Sequence, residues 1–267
     1  MCFPLMKKLQ NIISKAAPFV TVFLILLIWL FISDSGLIPK FMLPSPVNVV
    51  KAFIKDFSLL MEHAAVTLQE AGYGLLIGFA IALVTATLMD RFSIVYKAVY
   101  PVLVVTQTIP SIAIAPLLVL WMGFGMAPKI TLVVITTFFP ITIGLLNGLQ
   151  SADKDAIDLF RAMGAGRMQI YRHIKFPAAL GQMFGGLRIA AAYSVVGAVI
   201  SEWLGGFSGL GVYMTRVKKA YSFDKMFAVI VFISVISLLL MYFISLLEKA
   251  AMPWTRKRNQ KKGKNKK

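Results

Sequence analysis

Long apolar runs, separated by short charged segments, repeat along the chain. Five of the runs contain no Asp, Glu, Lys or Arg residue, and a sixth contains only Arg188. In chain order the runs are Ala17–Ile32, Ala71–Met89, Ala98–Ala127, Ile130–Ala152, Phe176–Ser201 and Met226–Leu247. Because about 20 apolar residues in a helix cross a bilayer core, the pattern predicts six transmembrane helices. Continuous rather than alternating apolar runs favour helices over a β-barrel, so we expect an all-α, polytopic membrane helix bundle.

The composition agrees with a membrane protein. Hydrophobic residues make up 58% of the 267 residues, whereas apolar residues make up about 45–50% of a typical soluble domain. The first run follows Lys7, Lys8 and Lys15, as the apolar part of a signal peptide would. No clear small-x-small cleavage site follows Ile32, so we predict an uncleaved first span.

The basic residues predict the orientation of the bundle. If the N-terminus is cytoplasmic, 19 of the 28 Lys and Arg residues fall in inside segments and eight in outside segments. This asymmetry satisfies the positive-inside rule and predicts a multi-pass protein of the cell membrane with both termini in the cytoplasm. The predicted parts are a cytoplasmic N-terminus at 1–16, a membrane domain at 17–248 and a basic cytoplasmic tail at 249–267.

The tail carries about half of the net charge of +17, because it contains nine Lys or Arg residues and no acid. Anionic lipid attracts such a juxtamembrane segment by about 1 kcal/mol per basic residue near the surface. Basic residues also resist translocation across the membrane. We therefore interpret the tail as a topology anchor in contact with membrane lipid, and predict no nucleic-acid partner.

Residue patterns that support enzyme chemistry are missing from the sequence. Cys2 is the single cysteine, and His63 and His173 fall in different loops, which argues against a disulfide and a metal site. The nearest approach to a phosphate-binding G-x-x-x-x-G-K-[ST] loop is Gly123–Lys129, where Pro128 replaces the second glycine. With no nucleophile–base pair either, we predict no catalytic residue, no metal and no cofactor bound by this chain.

Local patterns predict three further features. Apolar residues at near-helical spacing in Val47–His63 predict a short helix on the membrane surface. Prolines in the third span predict kinks and a nearby cavity, at Pro101, Pro110 and Pro116. Glycine pairs four residues apart predict close helix packing, at Gly74/Gly78, Gly144/Gly148 and Gly181/Gly185.

Polar residues in the spans need partners. Glu70, Arg188 and Glu202 are expected in ion pairs or at the membrane interface, because a charge at the bilayer centre is costly. Uncharged polar residues in the third and fifth spans most commonly bond between helices, and these are Gln107, Thr108, Tyr193 and Ser194. The alternative is a path for a transported solute, for which the candidates are Gln107, Tyr193, Ser194 and Glu202.

The charged segment between the fourth and fifth predicted spans indicates a short amphipathic helix outside the bilayer. Ser151 is the candidate N-cap, acidic residues follow it, and Gly164 suits a left-handed C-terminal position. The apolar stripe consists of Ile157, Phe160 and Met163. Such a face could lie on the inner membrane surface or fill a groove on another protein, and periodicity does not separate the two.

The spacing from Asp158 to Pro177 resembles the EAA motif of binding-protein-dependent ABC-transporter permeases. That motif reads EAA, three residues, Gly, nine residues, Ile, one residue and Leu-Pro. The matching positions here are Asp158-Leu159-Phe160, Gly164, Ile174 and Phe176-Pro177. Four residue types depart from the motif, but every spacing matches. The resemblance extends from about residue 44 to 247 and includes the runs QTIPSIAIAPLLVLWMGFG and SEWLGGFSGLG.

This resemblance implies a type I ABC importer permease fold and a division of labour. Two copies of the chain, as a homodimer, would form the pore, and an extracytoplasmic solute-binding protein would deliver the substrate. Cytoplasmic ABC ATPase subunits would use ATP and Mg and contact a coupling loop at 151–177, whose movement would switch the bundle between inward- and outward-open states. Phe160 and Met163 are expected to fill the ATPase groove. The other expected coupling residues are Asp158, Leu159, Arg161, Gly164, Ala165, Arg167, Ile174 and Pro177.

Within the family the chain is most similar to the branch that imports nitrate, taurine and other sulfonates, and thiamine precursors. The stretches RAMGAGRMQIYRHIKFPAAL and GAVISEWLGG resemble the permease for the hydroxymethylpyrimidine precursor of thiamine. The expected substrate is therefore a pyrimidine of this type, with nitrate, taurine or an alkanesulfonate as alternatives. An ion-coupled secondary transporter is the alternative from another class, although such proteins usually show intramembrane acids or an inverted repeat.

Overall fold

The structure is a computed structural model that describes residues 3–36, 38–39 and 41–253, with side chains from residue 16 onward. The regular secondary structure in these residues is helical, with turns and short irregular connections between the helices. The predicted tail from residue 254 onward, and the side chains of the predicted N-terminal segment 1–15, lie outside the described part. The helices are α1 (Phe3–Asp34), α2 (Pro46–Lys55), α3 (Phe57–Arg91), α4 (Ser93–Thr108), α5 (Ser111–Met122), α6 (Met126–Gln150), α7 (Lys154–Ala162), α8 (Arg167–Ile170), a π-helical turn (Tyr171–Lys175), α9 (Phe176–Gly205), α10 (Leu210–Lys219) and α11 (Phe223–Ala251).

Five stretches of helix are long and apolar enough to cross a membrane, and α4 with α5 forms a sixth span if the bent pair crosses as one. The five are Ala16–Asp34, Phe57–Arg91, Met126–Gln150, Arg167–Gly205 and Phe223–Ala251. A helix pairs most of its backbone N–H and C=O groups within the same segment, which is the condition for lying in hydrocarbon. The predicted all-α membrane bundle of about six spans is confirmed.

The chain divides into two compact units. The first holds the described residues up to Leu60 together with Met214–Val231. In it, the Trp29 indole N–H donates to the Pro44 carbonyl at 3.1 Å, and the Trp29 and Phe227 rings lie 5.7 Å apart. Lys225 Nζ also donates to Asp56 at 2.6 Å. These contacts tie the connection before α2 and the start of α11 to one another.

The second unit holds Met61–Tyr213 and the described residues from Phe232 on, and its core lies between α6 and α9. Gly144 and Gly148 of α6 leave no room for a Cβ against the α9 backbone, and Gly186 of α9 leaves none against the carbonyl of Pro140. Gly74 and Gly78 of α3 likewise leave no room for a Cβ against Val133 and Thr137 of α6. Two of the predicted glycine pairs thus mark close helix packing. The third prediction was wrong, because a Cβ at Gly181 or Gly185 would have no neighbouring atom nearer than 3.7 Å, and Gly186 makes the close contact instead.

The predicted third span is broken into α4 and α5. The break falls at Ile109 and Pro110, and the two helix axes differ in direction by 100°. Ile109 has an extended backbone (φ −82°, ψ 120°), the conformation that a following proline imposes on its neighbour. Pro101 and Pro116 lie inside α4 and α5, which continue through them. One of the three prolines therefore ends a helix, and the kink predicted there is confirmed.

The surface helix predicted over Val47–His63 is shorter than expected. The Ser45 hydroxyl accepts the N–H of Asn48, Pro46 occupies the first helical position, and α2 ends at Lys55. A new helix, α3, begins at Phe57 and continues to Arg91. The periodicity ran on to residue 63 because the first turns of α3 continue the same apolar spacing.

Candidate functional site

The loop between α6 and α9 contains the helix predicted from the charge pattern. Asp153 is the N-cap of α7, and its carboxylate accepts the N–H of Asp155 at 3.0 Å. The candidate cap Ser151 was wrong: it ends α6, and its hydroxyl donates to the Gly148 carbonyl at 2.8 Å. A serine one residue past a helix end can bond back to a free carbonyl, which leaves the N-cap position to the next acid.

Hydrogen bonds of its own backbone end α7. Gly164 has φ +81°, its N–H donates to the Arg161 carbonyl, and the Ala165 N–H donates to the Phe160 carbonyl, both at 2.9 Å. This is a Schellman motif, in which glycine takes the left-handed conformation at no steric cost. The predicted role of Gly164 at the C-terminal end of the helix is confirmed.

The return to α9 passes through α8 and the π-helical turn. Pro177 lies in the first turn of α9, where it lacks an N–H for the carbonyl four residues earlier. Just before Pro177 the chain forms a π-helical turn, in which hydrogen bonds span five residues instead of four, so the helix continues without the proline's N–H. Two side chains of the turn then contact α3: Tyr171 bonds Thr87 at 3.0 Å, and Lys175 donates to Asp90 at 2.8 Å.

The apolar residues of α7 divide into two sets. Leu159 and Met163 are 61% and 75% exposed, whereas Ile157 and Phe160 are half-buried. Phe160 and Met163 share the lining of a cavity of about 310 Å³ with Gly164, Ala165 and two residues that precede α9. Of the two residues predicted to fill the ATPase groove, Met163 is exposed and Phe160 is half-buried within its own loop.

The charged coupling candidates lie on another side of the same loop. Arg161 donates to Asp158 at 3.0 Å, and both side chains are more than two-thirds exposed. Together with Ala165 and Arg167 they line a cavity of about 750 Å³ that also contacts the end of α3. Ile174 and Pro177 are half-buried and lie in the π-helical turn and the start of α9.

A separate cavity of about 270 Å³ lies beside the break between α4 and α5. Gln107 and Tyr193, two of the candidate pathway residues, both line it. Its lining is uncharged, and the other polar side chains that reach it belong to Thr106, Ser111 and Thr136. The predicted cavity near the proline-interrupted span is present.

The other two pathway candidates lie elsewhere. Ser194 is fully buried and donates to the Ala191 carbonyl of its own helix at 2.9 Å. Glu202 is 1% exposed at the end of α9, where it accepts the Thr67 hydroxyl at 2.7 Å and the Gly211 N–H at 2.6 Å. The structure therefore brings Gln107 and Tyr193 together and leaves Ser194 and Glu202 outside their cavity.

The expected ion pairs of the membrane residues are present for two of the three. Lys129 donates to Glu70 at 2.6 Å, and Arg188 pairs with Glu248. Glu202 instead bonds a hydroxyl and a backbone N–H. Sequence reasoning named Glu70 but did not place His63 and Thr67 beside it, although these three residues recur at the four- and three-residue spacing of one helix face.

The chain is similar in sequence to known membrane transport proteins. The chain matches the family described as binding-protein-dependent transport system inner membrane component over residues 74–252. It is 37% identical to a probable ABC transporter permease protein of Haemophilus influenzae, covering 85% of this chain and 93% of that one. It is 36% identical to the formylaminopyrimidine transport permease protein of Halalkalibacterium halodurans, covering 88% and 94%.

The chain is also similar to a less identical permease and, in fold, to a solved transporter structure. An aliphatic sulfonates transport permease protein of Bacillus subtilis, described as putative, is 29% identical over 86% of this chain and 84% of its own. The fold is similar to that of the inward-facing MetNI methionine ABC transporter, with a TM-score of 0.65, 22% identity, and coverage of 73% of this chain and 97% of that one. The chain belongs to the family of binding-protein-dependent transport system inner membrane components and is the non-catalytic, multi-pass permease subunit of an ABC importer.

Proposed function

We propose that ATP hydrolysis by separate ABC ATPase subunits drives this permease through α7. The observation that carries the proposal is the exposure of Leu159 and Met163 on a short, rigidly capped helix outside the spans. Large apolar side chains presented in this way fit a groove on a partner protein. Two copies of the chain form the pore in this proposal, a solute-binding protein delivers the substrate from outside, and both termini are cytoplasmic.

Charge substitution on α7 tests the coupling. Leu159→Asp and Met163→Asp place a carboxylate where the ATPase groove excludes water, and we expect co-purification of the ATPase to fall at least tenfold. Phe160→Asp tests the half-buried position on the same helix. Phe41→Asp is the matched control, because Phe41 is 62% exposed in the connection between α1 and α2, predicted on the other side of the membrane. Equal losses in all four variants would contradict the proposal.

We further propose that the solute is a neutral, nitrogen-containing ring of the thiamine pyrimidine-precursor type. The observation that supports it is the uncharged lining of the cavity beside the α4–α5 break. Desolvating a sulfonate or nitrate without a paired cation is costly, whereas a neutral pyrimidine needs only hydrogen bonds. The Gln107 amide supplies both a donor and an acceptor, and the Tyr193 ring supplies a flat apolar surface.

The 36% identity to a formylaminopyrimidine permease favours the same class, and the sulfonate relative at 29% identity keeps the alternative of taurine, alkanesulfonate or nitrate. Uptake into proteoliposomes that contain the assembled transporter separates them. We expect ATP-dependent uptake of a formylated or hydroxymethylated aminopyrimidine and none of taurine, an alkanesulfonate or nitrate. Uptake that an ion gradient drives without ATP would instead identify an ion-coupled secondary transporter.

Two cavity variants test the pathway. Gln107→Ala and Tyr193→Ala are expected to lower the rate of uptake about tenfold, the effect of losing one well-placed polar or aromatic contact. Tyr242→Ala is the matched control, because Tyr242 is 59% exposed on α11 and does not line the cavity, whereas Tyr193 is 50% exposed. A loss in Tyr242→Ala as large as in Tyr193→Ala would contradict a pathway at this cavity.

A further inference from the structure

A buried polar cluster joins three spans to the start of α10. His63, Thr67 and Glu70 lie on one buried face of α3, Lys129 lies in the first turn of α6, and Glu202 lies at the end of α9. All five residues are at most 6% exposed. A cluster of this kind within the membrane-length helices requires that its charges and hydrogen bonds balance internally.

The cluster holds the first turn of α10 through three consecutive backbone N–H groups. Gly209 N–H donates to His63 Nδ1 at 2.9 Å, Leu210 N–H to Thr67 Oγ1 at 2.9 Å, and Gly211 N–H to Glu202 Oε2 at 2.6 Å. The first N–H groups of a helix have no partner within the helix, and a carboxylate is favoured there by the helix dipole.

Gly209 explains how the carboxylate comes this close. Its φ is +123°, and a Cβ at this position would collide with the Glu202 carboxyl group. The connection between α9 and α10 is therefore shaped around Glu202, which bonds the loop with one oxygen and the Thr67 hydroxyl of α3 with the other.

The charges of the cluster do not balance if both carboxyl groups are ionised. His63 Nδ1 accepts a hydrogen bond from the Gly209 N–H, so the ring carries its proton on Nε2 and is neutral. Tyr213, whose ring lies 5.7 Å from that of His63, is uncharged. Among the described residues that form the cluster, Lys129 is the cation. Two carboxylates beside one ammonium would leave a buried, uncompensated negative charge.

The unpaired oxygen of Glu70, Oε2, indicates where an additional proton would balance the charges of the cluster. Glu70 Oε1 accepts from Lys129 Nζ at 2.6 Å. Glu70 Oε2 is buried and has no hydrogen-bond partner among the described residues. The carboxyl groups of Glu70 and Glu202 lie within hydrogen-bonding reach of each other. An orphaned buried acceptor is unfavourable, and a proton shared between the two carboxyl groups removes it. Glu202 already accepts from Thr67 and from the Gly211 N–H, which favours its ionised form, whereas Glu70 Oε2 accepts from no group and is free to be the donor.

We infer that Glu70 carries a proton on Oε2 and donates it in a hydrogen bond to Glu202, so that Lys129, Glu70 and Glu202 form one continuous bridge to the first turn of α10. In this bridge Lys129 is positive, Glu70 is neutral and Glu202 is negative. Glu202 is the positioning residue of the connection between α9 and α10, and Glu70 holds it in place.

The bridge predicts opposite outcomes for two similar substitutions. In Glu70→Gln, the amide oxygen still accepts from Lys129 and the amide N–H₂ still donates to Glu202, so the variant reproduces the protonated acid. In Glu202→Gln, one oxygen acceptor becomes a donor and either Gly211 or Thr67 loses its acceptor. Ionised Glu70 would reverse the first expectation, because the amide would then leave Lys129 without its counter-ion.

Hydrogen exchange and infrared spectroscopy on the full chain in lipid nanodiscs test the bridge. We expect Glu202→Gln to raise amide exchange at 209–211 about tenfold, and Glu70→Gln to leave it within twofold of the wild type. The infrared carbonyl stretch of a protonated carboxylic acid should be present in the wild-type protein and lost in Glu70→Gln. Glu62→Gln is the matched control, because Glu62 is exposed on the same helix, and it should keep the band.

Two results would overturn the inference: a wild-type protein without the protonated-acid band, or a Glu70→Gln variant whose exchange at 209–211 rises as much as that of Glu202→Gln. If Glu202→Gln does not fold, the infrared comparison of wild type, Glu70→Gln and Glu62→Gln still decides. Uptake by the assembled transporter adds a functional readout, in which Glu202→Gln is expected to be about tenfold slower than Glu70→Gln.

Discussion

Prolines have opposite effects in two neighbouring parts of the second unit. Pro140 lies in the middle of α6, which continues through it for ten further residues, whereas α4 and α5 separate at Pro110 and turn by 100°. Around Pro140, α9 packs backbone to backbone against α6 through Gly186. Around Pro110, Gln107 and Ile109 are exposed. A proline alone therefore does not decide whether a helix continues, because the packing around it contributes as well.

The largest expected effect comes from separating the two packed helices. Gly186→Ala places a methyl group against the Pro140 carbonyl, so the α6 and α9 backbones must move apart, and we expect a loss of about 1–3 kcal/mol of stability. Thermal unfolding of the purified protein in detergent measures it. Gly181→Ala is the control, since its nearest atom is the flexible end of Met252 at 3.7 Å. Equal melting temperatures for the two variants would show that the helices are not held at this distance.

A smaller effect is expected from Pro110→Ala. Ile109 is then free to take helical angles, and the unfolded chain gains conformational freedom, so we expect a loss of about 1 kcal/mol. If the bend straightens, spin labels at the exposed residues Val104 and Leu120 should move apart by about 7 Å, given a rise of 1.5 Å per residue. An unchanged label distance would show that contacts other than the proline fix the bend.

The smallest effect is expected from Thr142→Val in α6. Thr142 is buried, and its hydroxyl donates to the Phe138 carbonyl of the same helix at 2.7 Å. That carbonyl belongs to a continuous helix, so the substitution removes a second hydrogen bond and should cost about 0.6 kcal/mol or less. Thermal unfolding beside Gly186→Ala sets the scale. A loss equal to that of Gly186→Ala would mean that α6 depends on side-chain hydrogen bonds as much as on its close contact with α9.

Local patterns predicted those parts of the fold that depend on neighbours in sequence. The apolar runs predicted the spans, and the order of charges together with Gly164 predicted α7. The prolines predicted the kink and the cavity beside it. Ser151 was wrong as a cap because two adjacent helix ends compete for the same polar residues. Gly181 and Gly185 were wrong because the rotation of α9 about its axis, which spacing alone does not set, turns Gly186 toward α6.

Contacts between residues far apart in sequence could not be predicted from residue spacing. Glu202 was identified as a polar residue at the end of a span, but its contacts come from Thr67, 135 positions earlier, and from the turn that follows it. Gln107 and Tyr193 were both candidates for a solute path, which stays a prediction, and they line one cavity beside the 100° bend. A single sequence contains the chemistry of such residues but not the distances between them.

The π-helical turn at Tyr171–Lys175 sets the rotation of α7 and α8 about the axis of α9, the helix that follows it. A π-helical turn accommodates one residue more than an α-helix of the same length, and each residue of an α-helix advances the chain by about 100°. Removing one residue from this turn would rotate α8, and α7 with it, by that angle about the axis of α9. A loop exchanged between this chain and a relative must therefore keep the extra residue if the side chains of α7 are to keep their direction.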